Sequence, residues 1–147
     1  GGQSMLMAQL DLDHFKAVND THGHAAGDLA LQAFARMVTA SVSNTDILAR
    51  WGGEEFVLLM GNTTAEEGAP VLERVRAAVA ATPVALPAGG TAIRLTVSVG
   101  VARLHADETP TALLSRADAA LYEAKRLGRN RVAWAAQDAP EKIAARA

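Results

Sequence analysis

The strongest structural signal in this sequence is a ten-residue segment in which apolar residues alternate with small or polar ones. From Ile93 to Ala102, aliphatic side chains occupy every odd position, and Arg, Thr, Ser, Gly and Ala occupy the even positions. A period of two is typical of a β-strand with one face in the core. The chain must therefore fold around a sheet, and its other elements must provide the neighbouring strands and the helices that cover them.

Four further segments have strand character, at residues 5–11, 46–50, 56–60 and 130–134. Between them, apolar residues at helical spacing predict a short helical turn at 13–19 and longer helices starting near 26, 64 and 110. The predicted order is β-α-α-β-β-α-β-α-β, with at most a short edge strand between 83 and 90. This order favours an α+β, ferredoxin-like fold with a mostly antiparallel central sheet, and we expect the helices to cover one face.

The composition excludes several classes of protein. A length of 147 residues suits one domain, and a net charge of −2 argues against binding duplex nucleic acid through bulk charge. The absence of cysteine excludes disulfides, thiolate zinc sites and a Cys nucleophile. No apolar run is long enough to span a membrane, and the N-terminus does not resemble a signal peptide. We expect a cytoplasmic domain without membrane contact, with residues 1–4 as a linker or cloning remnant and 135–147 as a frayed or helical tail.

Acidic residues lie at the ends of two strands that are predicted to be neighbours. Asp11 and Asp13 end the first strand, and Glu54 and Glu55 lie in a predicted hairpin. Because paired strands are about 5 Å apart, Asp11 should approach Glu54, and two carboxylates repel unless a cation lies between them. Oxygen ligands suit Mg²⁺ or Mn²⁺. The pair predicts a divalent-cation site, although each acid alone is also typical of a solvated loop.

Other polar residues suit a phosphorylated ligand. The helical turn after the first strand offers free backbone N–H groups, and Lys16 adds a positive charge. Asn19 and Asp28 together have the donors and acceptors for a guanine edge, and Lys125 and Arg129 suit phosphate. Each residue also has a simpler interpretation, as a surface lysine, a turn residue, a helix cap or a cation at a helix C-terminus.

Five blocks of sequence form one ordered pattern. They are LDLDHFKAVND at 10–20, GHAAGD at 23–28, RWGGEEF at 50–56, TVSVG at 96–100, and the residues from 117 to 130 that include Ala117, Asp118, Lys125 and GRN at 128–130. In this order, the blocks resemble the GGDEF family of diguanylate cyclases. The resemblance spans about Leu6 to Val132. It implies an adenylyl-cyclase-like palm, a variant of the ferredoxin-like fold, with residues 5–134 as the catalytic domain.

The resemblance also implies a reaction. Two GTP molecules would condense to cyclic di-GMP and two pyrophosphates, a second-messenger synthesis. Each domain would hold one GTP with Mg²⁺ or Mn²⁺, two ions per nucleotide. A second GGDEF domain would face the first as a homodimer, so that each 3′-hydroxyl attacks the α-phosphorus of the other nucleotide.

The same resemblance assigns roles to individual residues. Asp11 and Glu54 match the metal ligands, with the Leu12 carbonyl and Glu55 in support, and Glu54 would also assist deprotonation of the hydroxyl. With Lys16 beside the phosphates, Asp11 and Glu54 are the expected catalytic group. The expected substrate-binding residues are Asn19 and Asp28 for guanine, Phe15, Lys16, Lys125 and Arg129 for phosphates, and Gly52 and Gly53 for close backbone approach.

The alternatives belong to other functional classes. A non-catalytic module that binds GTP or cyclic di-GMP is the main one, but degenerate family members usually lose signature acids, and this chain keeps Asp11, Glu54 and Lys16. A polymerase-like palm acting on nucleic acid would use the same metal chemistry, but the sequence has no basic groove.

One departure from the family pattern lies at the start of the domain. The upstream segment with which the family usually opens does not precede Met5, which affects expectations for stability and pairing rather than for nucleotide recognition.

A second departure from the family pattern concerns product inhibition. Many family members have an Arg-x-x-Asp inhibitory site before the signature. Here Asp46 occupies the acidic position, but Ser43 replaces the arginine that binds guanine through two hydrogen bonds.

We therefore predict no product inhibition through Asp46. In a titration with cyclic di-GMP, Asp46→Ala should leave product binding and inhibition unchanged, because the remaining carboxylate alone does not hold the guanine. Micromolar product binding that disappears in Asp46→Ala, with turnover retained, would contradict this prediction.

Overall fold

The computed structural model of the protein describes residues 4–87 and 90–141. The strands are β1 (Met5–Leu12), β2 (Ile47–Arg50), β3 (Glu55–Gly61), β4 (Val97–Arg103) and β5 (Arg131–Trp134), and the helices are α1 (Phe15–His22), α2 (His24–Ser41), α3 (Ala65–Ala81) and α4 (Pro110–Arg126). The predicted order of elements is confirmed. No helix in the described ranges has the length and hydropathy needed to cross a membrane.

The strands form one sheet with the order β2-β3-β1-β4-β5. All neighbouring pairs are antiparallel except β4 and β5, which are parallel. The predicted α+β class with a mostly antiparallel sheet is confirmed. Strand β1 lies at the centre, and every residue from Leu6 to Asp13 is buried. Its carboxyl end is therefore enclosed by the elements on both sides.

The strand predicted from the alternating segment begins later than expected. Ordered sheet pairing starts at Val97, opposite Leu12, the last residue of β1. Before it, Ile93 pairs only with Val84, through two backbone hydrogen bonds of 2.8 and 2.9 Å in an isolated bridge. The shorter strand results from the length of β1, since residues before Val97 have no central strand to pair with. The short edge pairing predicted between 83 and 90 is present at Val84.

Helices cover both faces of the sheet, so the prediction that they cover one face is wrong. Helices α2 and α3 pack through Phe34, Val38, Leu72 and Val75 on the face formed by the even residues of β1 and the odd residues of β4. Helix α4 packs on the opposite face, where Ala117 joins a second apolar cluster.

Small residues in β4 explain this second layer. Ser98, Gly100 and Ala102 are buried, although the alternation suggested a solvent face. A Cβ at Gly100 would lie 2.1 Å from the backbone nitrogen of Leu121 and 2.4 Å from the carbonyl oxygen of Ala117. The absence of a side chain therefore allows the backbone of α4 to approach the sheet directly.

The chain after β5 is docked on the domain rather than frayed or helical over residues 136–140. The Asp138 carboxylate is buried and accepts hydrogen bonds from Arg103 N (2.9 Å), His105 Nε2 (2.7 Å) and Arg116 Nη1 (2.5 Å). Burial alone would raise the pKa of Asp138, but these hydrogen bonds outweigh it and lower the pKa. The expectations for residues 1–3 and 142–147 lie outside the described residues.

The close contact at Gly100 predicts a strong effect of adding one methyl group. Gly100→Ala should lower the free energy of unfolding by about 3 kcal/mol, because the Cβ must push α4 away from the sheet. Gly61→Ala, in β3, is the matched control, since nothing lies within 4 Å of a Cβ there. Its effect should stay within about 0.5 kcal/mol. Equal effects in chemical denaturation would contradict the packing described here.

Candidate functional site

The carboxyl end of β1 meets the hairpin between β2 and β3. Asp11, which is 5% exposed, is the register partner of Glu55 in β3 and of Ser98 in β4. The backbone N–H of Leu12 donates to the carbonyl of Glu54 at 3.4 Å. The sheet register therefore brings Asp11 and Leu12 beside the chain segment that contains Glu54.

Helix α4 places a positive charge directly on Asp11. The Lys125 ammonium group donates a hydrogen bond to Asp11 Oδ2, and the Asp11 side chain is almost completely buried. Both residues were predicted to contact the ligand, but their contact with each other was not predicted. It depends on the position of α4, because Lys125 lies one turn beyond the residues that pack on Gly100.

Arg50 holds the tip of the hairpin. Its Nε donates to the carbonyls of Gly52 and Gly53, both at 3.1 Å, and its Nη2 donates to Gly53 at 2.7 Å. The turn is closed by Trp51 N and Gly52 N, which both donate to the Glu55 carbonyl, at 2.7 and 3.2 Å. No role was predicted for Arg50 from the sequence. The only available signal was a guanidinium two residues before a Gly-Gly turn whose carbonyls need donors.

A pocket of about 400 Å³ lies between this hairpin and the helices α1 and α2. It brings together six of the predicted site residues with three others, and its lining consists of Phe15, Lys16, Asn19, His24, Asp28, Leu31, Arg50, Gly53 and Glu54. The predicted guanine-reading pair and the predicted phosphate-binding lysine therefore share one pocket with Glu54. We call it the hairpin pocket.

The lack of a side chain at position 27 leaves the space that Asn19 occupies beside the hairpin pocket. A Cβ on Gly27 would lie 1.9 Å from Asn19 Oδ1 and 3.1 Å from Phe15 Cζ. Asn19 Oδ1 is buried and has no hydrogen-bond partner among the described residues. A buried amide oxygen without a partner is costly, and a ligand that donates a hydrogen bond there would remove the cost.

The other predicted site residues do not line the hairpin pocket; they are Asp11, Leu12, Asp46, Gly52, Glu55, Lys125 and Arg129. Glu55 lines a separate depression with Gln9, Trp51 and Asp118, on the side of the sheet covered by α4. Trp51 is 63% exposed. The carbonyl of Glu55 stabilises the turn, while its carboxylate does not line the pocket of its neighbour Glu54.

Asp46 stabilises a turn before β2. One of its carboxylate oxygens accepts from the backbone N–H of Ser43 at 3.0 Å, and Asp46 N donates to the Ser43 carbonyl at 3.0 Å. The Ser43 hydroxyl is hydrogen-bonded to the Thr45 hydroxyl at 3.1 Å. The acidic position of the family's inhibitory pattern is thus already engaged by the segment that precedes it.

Asp13 has a different environment from Asp11. Its carboxylate is buried and accepts hydrogen bonds from the hydroxyls of Thr96 and Ser98, both at 2.6 Å. A carboxylate whose oxygens are already engaged is poorly placed to bind a cation. Arg129 lies next to it, with Nη1 3.9 Å from Asp13 Oδ1. The sequence placed both acids at one strand end but did not distinguish their environments.

Asp11 and Glu54 are candidate ligands for a magnesium ion. Within residues 4–87 and 90–141, no three His, Asp or Glu side chains converge as a complete cation cage. Mg²⁺ commonly takes only one or two carboxylates and completes its shell with water and substrate phosphates. Asp11, the Leu12 carbonyl and Glu54 are the oxygen donors at this strand end that would hold such an ion together with substrate phosphates.

The profile of the family described as "Diguanylate cyclase, GGDEF domain" matches residues 1–131. The chain belongs to the GGDEF family. Diguanylate cyclase A of Treponema denticola is 39% identical over 140 residues, which cover 95% of this chain and 37% of that protein. Diguanylate cyclase DgcP of Pseudomonas aeruginosa is 44% identical over 131 residues, covering 89% of this chain and 19% of its own length. The GGDEF chain thus spans well under half the length of these relatives.

Solved structures agree with the GGDEF fold. The GGDEF domain of DgcB from Caulobacter crescentus, solved in complex with c-di-GMP, matches with a TM-score of 0.87 and 38% identity, covering 92% of this chain and 80% of that one. The active GGEEF domain of a diguanylate cyclase from Vibrio cholerae matches with a TM-score of 0.82 and 33% identity, covering 92% and 85%.

The role of Arg50 can be tested without a ligand. Arg50→Ala removes the donors to the Gly52 and Gly53 carbonyls, so amide hydrogens of residues 51–55 should exchange roughly tenfold faster. Arg36→Ala, at an exposed arginine in α2, is the control and should leave this exchange unchanged. If the hairpin amides exchange at the wild-type rate in Arg50→Ala, the guanidinium does not stabilise the turn.

Proposed function

We propose that residues 5–134 form the catalytic domain of a diguanylate cyclase. It condenses two GTP molecules into cyclic di-GMP and releases two pyrophosphates. The observation that supports this most strongly is the hairpin pocket, in which Asn19, Asp28, Lys16 and Glu54 line one space of about 400 Å³. The comparisons add family membership and relatives that are named diguanylate cyclases.

The pocket contains groups for both ends of a GTP molecule. Asn19 and Asp28 offer an amide and a carboxylate, which complement the donors and acceptor on a guanine edge. Lys16 provides a positive charge for phosphate oxygens, and the backbone N–H groups of the first residues of α1, Phe15 and Lys16, would donate to the same phosphates. The Gly53 backbone approaches the ligand without a side chain. Lys125 and Arg129 bind the terminal phosphates from the α4 side.

The acids at the strand end provide the reactive centre. Asp11, Glu54 and the Leu12 carbonyl would hold Mg²⁺ or Mn²⁺, two ions per GTP, with support from Glu55. When bound, the metal supplies charge stabilisation to the triphosphate and promotes attack by a hydroxyl. Glu54 also accepts the proton of the 3′-hydroxyl.

The product requires two copies of the domain. Each pocket holds one GTP, and cyclic di-GMP contains two nucleotides joined by two equivalent phosphodiester bonds. Two domains related by a two-fold axis place each 3′-hydroxyl opposite the α-phosphorus of the other nucleotide. Two O–P bonds form and two α–β phosphoanhydride bonds break. Each pyrophosphate leaves with the electron pair of the bond that breaks.

Glu54→Gln should reduce turnover by at least about 100-fold while the fold is retained, because the amide is a poor metal ligand and a poor base. The measurement is the formation of cyclic di-GMP from GTP and Mg²⁺, alongside thermal unfolding. Glu66→Gln, at an exposed acid in the first turn of α3, is the matched control. This control should retain full activity.

The rate of cyclic di-GMP formation by the wild-type chain should rise with the square of protein concentration when pairing is weak.

Two outcomes would contradict the proposal. Normal turnover by Glu54→Gln would exclude its role in the reactive centre. If the wild-type chain binds GTP or cyclic di-GMP but forms no product at any protein concentration, the domain is a nucleotide-binding module instead.

A further inference from the structure

The Asp13 carboxylate connects three segments that are distant in sequence. Its side chain has no exposed surface. The hydroxyls of Thr96 and Ser98 donate to it at 2.6 Å each, and the backbone N–H of Asn130 donates at 3.0 Å. Asp13 therefore joins the end of β1 to the start of β4 and to the loop between α4 and β5.

That loop has an unfavourable backbone conformation. Arg129 and Asn130 have φ values of 65° and 48°, in the left-handed region that residues other than glycine adopt at a cost. Hydrogen bonds hold both residues there. Asn130 N donates to Asp13, Arg76 Nη1 donates to Asn130 Oδ1 at 2.8 Å, and Arg129 N donates to the carbonyl of Ala124 at 2.9 Å. Such local strain persists only where surrounding contacts determine the conformation.

The charge of Asp13 acts on the side chain of Arg129 as well. A buried carboxylate is stable only when hydrogen bonds and an opposite charge compensate it, and Arg129 Nη1 lies 3.9 Å from Asp13 Oδ1. The Arg129 side chain is 39% exposed, so the guanidinium has further N–H groups available to a ligand. One carboxylate thus binds the loop backbone at Asn130 and forms an ion pair with the Arg129 side chain.

We propose that Asp13 is a positioning residue, which fixes Arg129 for the terminal phosphates of GTP. This inference rests on the proposed function. Asp13 touches no substrate, because its oxygens are already engaged by Thr96, Ser98 and Asn130. Its effect on catalysis passes through Arg129, in the way that outer hydrogen-bond partners orient the groups that contact a ligand.

The alternative is a purely structural role. Without the carboxylate, two buried hydroxyls and one N–H would lose their acceptor, which by itself lowers stability. A structural defect would reduce binding of every part of the nucleotide. A positioning defect would reduce binding of the terminal phosphates and spare the nucleoside.

The test compares two ligands in Asp13→Asn. This change removes the charge and offers an N–H group to a site filled with donors. Affinity for a non-hydrolysable GTP analogue should fall about 10- to 100-fold, and affinity for guanosine should stay within about twofold, as measured by NMR titration. Arg129→Gln should show the same selective loss. The double variant should lose no more than Arg129→Gln alone, because both changes remove one interaction.

A milder variant covers the case in which Asp13→Asn does not fold. Thr96→Val keeps the carboxylate and the side-chain shape and removes one hydrogen bond to Asp13. It should cause a smaller loss with the same selectivity for the GTP analogue. Thr39→Val, at an exposed threonine in α2, is the control and should change neither affinity.

Three results would overturn the inference alone. Each applies only if the wild-type chain binds the GTP analogue. The first is an equal loss of guanosine and analogue affinity in Asp13→Asn, and the second is an unchanged analogue affinity in folded Asp13→Asn. The third is a loss of analogue affinity in the double variant that equals the product of the two single losses. A wild-type chain that does not bind the analogue would overturn the proposed function first, and the role of Asp13 with it.

Discussion

The pairing of β1 with a strand on each side determines where the site forms. Because β3 and β4 both pair with β1, Asp11 at its carboxyl end lies between Glu55 and Ser98. The hairpin that precedes β3 contains Glu54, and the Leu12 N–H joins it to β1. The register thus places the acids. A shift by one residue would turn Asp11 to the opposite face of the sheet.

The second determinant is the close approach of α4 to β4. Gly100 allows backbone contact with Ala117 and Leu121, and Asp138 anchors Arg116 near the start of the same helix. Near the other end of α4, Lys125 donates a hydrogen bond to Asp11. The position of Lys125 beside Asp11 therefore depends on the close packing of α4 against the small residues of β4.

The sequence predicted the fold well where local patterns determine structure. The helices predicted to start near 64 and 110 begin at Ala65 and Pro110, after a capping box at Thr64 and Glu67 and an N-cap at Thr109. The alternation in β4 predicted a strand but not its second covered face, because Ser98, Gly100 and Ala102 are equally compatible with solvent and with a helix packed against them. Only the tertiary structure distinguishes these cases.

The site was predictable as a set of residues but not as a set of contacts. The motifs identified Asn19, Asp28 and Glu54, which line one pocket. The contacts of Arg50 with the hairpin and of Asp13 with the loop at Asn130 depend on side-chain geometry and on a segment more than 100 residues away. Sequence spacing contains no direct signal for such contacts, and this explains why these supporting contacts were missed while pocket-lining residues were identified.

The most direct measurement is a crystal structure of the chain with a non-hydrolysable GTP analogue and Mg²⁺. The account predicts the guanine beside Asn19 and Asp28, and the triphosphate with its metal at Asp11 and Glu54. A triphosphate bound away from both acids would contradict it.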